Sequence, residues 1–433
     1  MPIKRIAFAV AFILLGAISA SAQTDPNLEQ GIKPFGAYDS SDTDSISMVN
    51  GGLTLNIPLF RYSQRGSKLS LDFRMMYSSR GWTESNTQEP PIKVTFTGGS
   101  ESVGIGDTDL WVFGLTPKGC TNGGVNALSG YLDIWPSITG VDGSTHPVGL
   151  TSYNLSTRQF NFESLDGTGL KLSGFTTNSS GQVASPGSIT DKDGTSFFQY
   201  WTSFPTYAKE DANGNVILEN SSGYTDTLGR SVPAGVSATD TTGCTGPLAI
   251  SSALLWSFPG PSGGNTEIKI CYATVAIQTN FISSTEQDIL PSFSAIQSVI
   301  AYNNSSWTTS PSWTFQYSDR NPGDPSNINY GSLTSVTLPN GGTITYTYTR
   351  TTAGGTGWMR GVASKTVNAN DGTGNHTWNY SYHVGSVLTN TVTDPLGNDT
   401  VYTMTGLGGS LSFYPTEVDY YQGSDLTGDF CTR

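Results

Sequence analysis

The stretch Thr391–Met404 reads TVTDPLGNDTVYTM, and its parts decide the fold. Val392 leads in, Asp394 opens a turn, Gly397 follows three positions later and Tyr402 sits on the way out. Aspartate at the head of a turn can hydrogen-bond its own backbone, and the proline behind it fixes φ. Glycine supplies the φ > 0 position that such a turn requires. Thr, Val and Tyr on both flanks favour extended backbone. The stretch therefore predicts one β-hairpin.

Looser copies lie upstream. Ile189–Tyr200 (ITDKDGTSFFQY) sets Asp191 three positions before Gly194. The same offset joins Asp211 to Gly214 and Asp226 to Gly229. Leu333–Tyr348 (LTSVTLPNGGTITYTY) turns on Pro339, Asn340, Gly341 and Gly342, with Tyr346 and Tyr348 on the outgoing strand. Recurrent hairpins predict an all-β chain of many short antiparallel hairpins, each burying a face against its neighbours. Their irregular spacing argues against a solenoid of fixed period. Helix signals are nearly absent. Ser284–Tyr302 begins with Glu286 and Asp288, but Pro291 breaks it, leaving room for one short helical turn.

The hairpins TVTDPLGNDTVY, YTDTLGRSV and LTSVTLPNGGTITYTY resemble the tyrosine/aspartate-rich (YD) hairpins of RHS-repeat proteins. That family includes bacterial polymorphic toxins, shell components of insecticidal toxin complexes and the animal teneurins. Val49–Tyr77 (VNGGLTLNIPLFRYSQRGSKLSLDFRMMY) resembles the region that opens many secreted bacterial members. The resemblance covers residues 45–80 and 180–405 and thins between them. It implies a spiralling YD-type β-sheet or partial shell behind an N-terminal β-domain. It also implies a non-enzymatic, structural role in a β-shell or cell-surface scaffold, tied to cell contact or toxin export. Implied partners are cell-envelope proteins, surface glycans, or an encapsulated C-terminal toxin absent from this chain. The family's self-cleaving core motif is not found before Arg433, and no toxin domain follows Thr405. Autoproteolysis and toxicity therefore carry over to no residue here.

Residues 1–22 have the form of a secretory signal: Lys4 and Arg5, an apolar core over Ile6–Leu15, and Ala20-Ser21-Ala22 before Gln23. Export to the extracellular space, cell surface or periplasm is expected, and no later stretch reaches the ~20 apolar residues of a membrane helix. The chain carries 21 basic and 34 acidic residues; without Lys4 and Arg5 the balance is 19 to 34, or −15. Such acidity argues against nucleic acid and anionic lipid as partners. Residues 23–45, with Pro26, Pro34, Gly36 and the acidic Asp39, Asp42 and Asp44, read as a flexible leader. A β-rich domain is expected over 46–180 and the hairpin-repeat region over 181–433. Within the former, Leu53–Leu59 and Leu69–Met75 alternate with period two and predict an opening hairpin. Pro58 marks the first run as an edge strand or a strand end.

Four cysteines (Cys120, Cys244, Cys271, Cys431) allow three pairings in an oxidising compartment. Cys244 with Cys271 is the preferred pair, because both flank the apolar strand Ala249–Phe258 and its partner Glu267–Tyr272. No pair has the spacing of a zinc site.

Catalytic, metal-binding and cofactor-binding residues are not predicted. A Ser-His-Asp triad would have to use His146, His376 or His383, and no nucleophile-elbow motif accompanies them. The carboxylate pairs Glu210/Asp211, Glu163/Asp166 and Glu417/Asp419 could serve a glycosidase, but turn or solvent-facing roles explain each. Asp191-to-Gly194 and Asp211-to-Asn215 lack the ligand set of a calcium loop. The alternative function is a secreted carbohydrate-binding or carbohydrate-cleaving β-protein, resting on acidity and abundant aromatics.

Overall fold

The computed structural model describes Ile32 and residues 36–425, less 64–68, 80–81, 86–92, 97–101, 106–111, 118–133, 140–144, 155, 178–182, 186, 201–205, 261–263, 278–286, 289–291, 318–328, 352–358, 384–386 and 407–412. The expected signal peptide, Cys120 and Cys431 lie outside the described residues.

The described chain is all-β, and its three larger sheets are antiparallel, with none closed into a barrel. A single 3-10 turn, Trp307–Thr309, is the helical element among the described residues. A five-stranded N-terminal sheet orders Tyr38–Ser40, Asp44–Ser47, Leu53–Ser63, Ser70–Ser78 and Ser102–Ile105. A middle sheet runs from Val112–Pro117 to Ser231–Pro233, and a C-terminal sheet from Val236–Ala238 to Phe413–Tyr421. Both long sheets pair their strands in chain order, except that Val183–Ser185 pairs off the path on Lys171–Thr177 and Gln287–Asp288 leaves for another sheet. In a small fourth sheet, Gln287–Asp288 lies parallel to Lys93–Phe96, which pairs with Trp82–Ser85.

Period-two alternation explains the opening hairpin. Leu53, Leu55 and Ile57 are buried, as are Phe73, Met75 and Tyr77 opposite them, in the register Leu55↔Tyr77, Ile57↔Met75 and Phe60↔Phe73. These residues share one core with the C-terminal sheet. Phe258 packs edge-on to Phe73 at 5.1 Å between centroids and lies 4.8 Å from Phe60. Such pairs add roughly 0.5–1.5 kcal/mol each beyond area burial. The first part of the middle sheet has a core of its own, built on Phe160, Phe162, Leu172, Phe175 and Ile189, while Ile217, Tyr224 and Val232 of its last strands join the shared core.

Several expectations are corrected here. The end of the expected leader is structured: Tyr38–Ser40 and Asp44–Ser47 are paired strands. The middle sheet spans residues 180/181, and the change from the middle to the C-terminal sheet falls between Pro233 and Val236. The strand holding Pro58 does not stop there but continues to Ser63. Its upper neighbour reaches no further than Leu55, and the pairing shifts register between Pro58 and Phe60, so the missing N–H leaves no gap in a two-sided ladder. Ser292–Ala301 is a strand paired with Ser312–Tyr317, and residues 284–286 and 289–291, where a short helical turn had room, lie outside the described residues.

Candidate functional site: aspartate turns and a buried ionic seam

Four turns share one construction. The Asp394 N–H donates to the Asn398 carbonyl at 2.8 Å, and the Gly397 N–H to the Asp394 carbonyl at 3.0 Å. One Asp394 carboxylate oxygen accepts the N–H groups of Leu396 (2.8 Å) and Asn398 (2.9 Å). The same four bonds recur around Asp191 (with Asp193, Gly194, Thr195), Asp211 (Asn213, Gly214, Asn215) and Asp226 (Leu228, Gly229, Arg230). The four glycines have φ between 74° and 82°. This is a tight turn closed by a left-handed glycine, in which the carboxylate satisfies backbone donors that the turn would otherwise leave unpaired.

A fifth position completes the unit. Asn215, Arg230 and Asn398 each donate a side-chain N–H to the second carboxylate oxygen of their aspartate, at 2.9, 2.6 and 2.8 Å. The signal for it was present in sequence, as a polar residue directly after each glycine. Burial works against the charge on Asp394, but bonds from Asn398, Leu396 and Gly397 outweigh it and hold the carboxyl below its usual range. The turn at Asn340 and Gly341 keeps the backbone pattern with Leu338 in place of aspartate.

Chain-order pairing places these turns. Successive connections in an antiparallel sheet alternate between its two rims, so every second one shares a rim. The turns at Asp166, Asp191, Asp211 and Asp226 therefore lie along one rim of the middle sheet, spaced on the order of 10 Å apart. By the same argument Asn340, Asp371 and Asp394 share a rim of the C-terminal sheet, and Asn370 donates to the Asn340 carbonyl across it at 2.8 Å.

A second cluster joins the chain's two ends. Asp44 is buried, and its carboxylate accepts from Lys365 Nζ at 2.6 Å and from the Tyr346 hydroxyl at 2.6 Å. Nearby, the Tyr380 hydroxyl donates to Asp39 at 2.5 Å, and Asn390 donates to the Met48 carbonyl. Val362 donates its N–H to the Gly51 carbonyl at 2.9 Å. Burial, and then the charge of Asp44, push the Tyr346 hydroxyl well above its ordinary value. Tyr380 is raised by burial and then by Asp39, and Tyr402 by the same two causes up to about 12. The seam pins the first two strands onto the strands Thr343–Thr351, Met359–Asn368 and Asn375–Tyr382. Sequence reasoning missed it, because Asp39 and Asp44 look like any acidic residues of a leader.

Two further contacts stiffen loops. His146 Nδ1 lies 2.6 Å from Asp166 Oδ2, tying the Leu165–Thr168 turn to the neighbouring strand. Burial disfavours the Asp166 charge, but His146 and Thr168 overcome it and leave the carboxyl lowered. Cys244 and Cys271 form a disulfide. Beside it, the buried Lys269 ammonium lies 4.1 Å from the Trp307 ring and 3.0 Å from Asp240.

The sequence-weighed acids do not converge. Asp211 serves its turn next to Glu210, and Asp166 is taken by His146 and Thr168 while Glu163 is exposed. Glu417 and Asp419 lie on the last strand. His376 meets Thr373, and His383 meets the Thr389 carbonyl. Among the described residues, no group of three His, Cys, Asp or Glu is placed to hold a metal ion. Among the described residues no helix is long and apolar enough to cross a membrane, which says nothing of crossing by strands.

No family model matches the chain, and no curated protein matches it. Among solved structures, it aligns with one of TcdB2-TccC3 over 89% of its length at 10% identity and a TM-score of 0.22. The chain spans 23% of that protein, and a superposition this loose carries no weight on fold or function.

Proposed function

We propose that this chain is an exported, non-enzymatic structural protein of RHS type, contributing a length of β-wall to a shell or cell-surface scaffold. The observation that supports this reading is the aspartate turn, built with the same bonds four times: at three successive alternate connections of the middle sheet and once in the C-terminal sheet. Repeating units that pair only with their sequence neighbours extend a wall without needing a central catalytic cavity. The ionisable clusters described above are consumed by structural contacts, which accords with a scaffold. Cell-envelope proteins, surface glycans or a toxin cargo are the partners such a wall would meet.

The test is electron microscopy of the native protein from culture supernatant and envelope fractions, with its intact mass, followed by a glycan array. Hollow or curved β-walled particles with no saturable sugar binding are expected. Saturable binding that is lost on substituting Glu163 or Glu210, or sugar hydrolysis, would overturn the reading in favour of a carbohydrate-active β-protein.

A further inference from the structure

We propose that Asp44 and Lys365 condense into an intramolecular amide, a covalent cross-link between the strand Asp44–Ser47 and the strand Met359–Asn368. Lys365 Nζ lies 2.6 Å from Asp44 Oδ1, with side-chain exposures of 7% and 0%. The two groups are therefore held at reacting distance in a site with little water, where positioning alone strongly favours an intramolecular step.

The surroundings supply the rest. An ion pair buried this deeply is costly, and passing the ammonium proton to the carboxylate leaves a neutral amine facing a carboxylic acid. The amine nitrogen can then attack the carboxyl carbon. Tyr346 donates its hydroxyl to Oδ2 at 2.6 Å, where negative charge develops during that attack. Ser41 donates its hydroxyl to Oδ1. As the C–N bond forms, the C–Oδ1 bond breaks, and Oδ1 departs as water with the carboxyl proton and one amine proton. No oxidant or other co-reactant is needed. The Trp378 ring, 5.5 Å from Nζ, forms part of the wall.

The molecule contains its own contrast. Lys269 is equally buried but sits 3.0 Å from Asp240, whose side chain is 58% exposed. Water reaches that carboxylate, its charge is stable, and the pair is expected to remain ionic.

The experiment is mass spectrometry of the full chain, with its disulfides reduced and alkylated. The folded wild type should weigh one water less than its sequence predicts. Trypsin should fail to cut after Lys365 and should release the Asp44 peptide joined to the Lys365 peptide, while cutting after Lys269 as usual. Lys365→Arg keeps the cation without a condensable amine and should restore the full mass. Folded wild-type protein of full mass that is cut normally after Lys365 would overturn the proposal and leave the pair an ion pair. If Lys365→Arg does not fold, the wild-type peptide map alone decides.

Discussion

The aspartates of the turns act through acceptor geometry, so their removal should be felt in stability. Asp394→Ala strands two backbone donors at a half-exposed site and should cost about 1–2 kcal/mol. Because its carboxyl is held below the unfolded value, the charged form stabilises the fold above a pH of roughly 4. That contribution is lost as pH falls through the lowered value. The gap between wild type and Asp394→Ala in urea midpoint, wide at neutral pH, should therefore narrow in acid. Glycines divide by their surroundings. At Gly397 a Cβ meets nothing within 4 Å, so Gly397→Ala should cost about 1–2 kcal/mol from φ alone. At Gly51 the φ is also positive, and a Cβ would come within 2.6 Å of the Gly361 backbone. Gly51→Ala should cost distinctly more, measured in the same denaturant titration.

At the scale of elements, the seam between the first strands and the C-terminal sheet is the sensitive joint. Lys365→Met removes the cross-link and leaves the Asp44 carboxylate buried with no partner amine; the orphaned charge alone should cost roughly 3–5 kcal/mol. Combining it with Asp44→Leu should recover part of that loss, because no orphan charge remains. A double-mutant cycle of thermal midpoints measures the recovery. Reduction of Cys244–Cys271, which are 27 residues apart, should cost about 3–4 kcal/mol by loop entropy, read as a drop in denaturation midpoint with reductant. The turns were legible in sequence because their chemistry is local: Asp191, Asp211, Asp226 and Asp394 each bond within four residues. The alternation of Leu53–Ile57 was legible for the same reason. The seam was not, since the partners of Asp39 and Asp44 stand 302 to 341 positions away and no local pattern announces them. Nor was the change of sheet after Pro233, because a hairpin looks alike in sequence whichever sheet it joins.

For the whole molecule, the tyrosines set the alkaline limit. Tyr346, Tyr380 and Tyr402 all have hydroxyls held above the ordinary value by burial and nearby aspartates. A group raised in the folded state lends stability that is complete below its unfolded pKa and is lost as pH rises toward the folded one. Unfolding should therefore set in above a pH of about 10, with phenolate absorbance and loss of β-circular dichroism rising together. Replacing Tyr346 with Phe should shift that onset upward even as it weakens the fold near neutrality. The joining of residues 38–48 to residues 346–390 also bears on how the chain is made. A ribosome delivers the amino terminus first, and its strands can pair with one another at once, yet the side chains of Asp39 and Asp44 meet Tyr346, Lys365 and Tyr380 only after about 300 or more further residues have emerged. Until then Ile46, Met48, Leu53 and Leu55 lack the part of their core that the last strands of the C-terminal sheet supply. Folding of the outer seam is thus a last step, slow by its sequence separation, and the nascent chain is a natural client for a holding chaperone throughout its delivery.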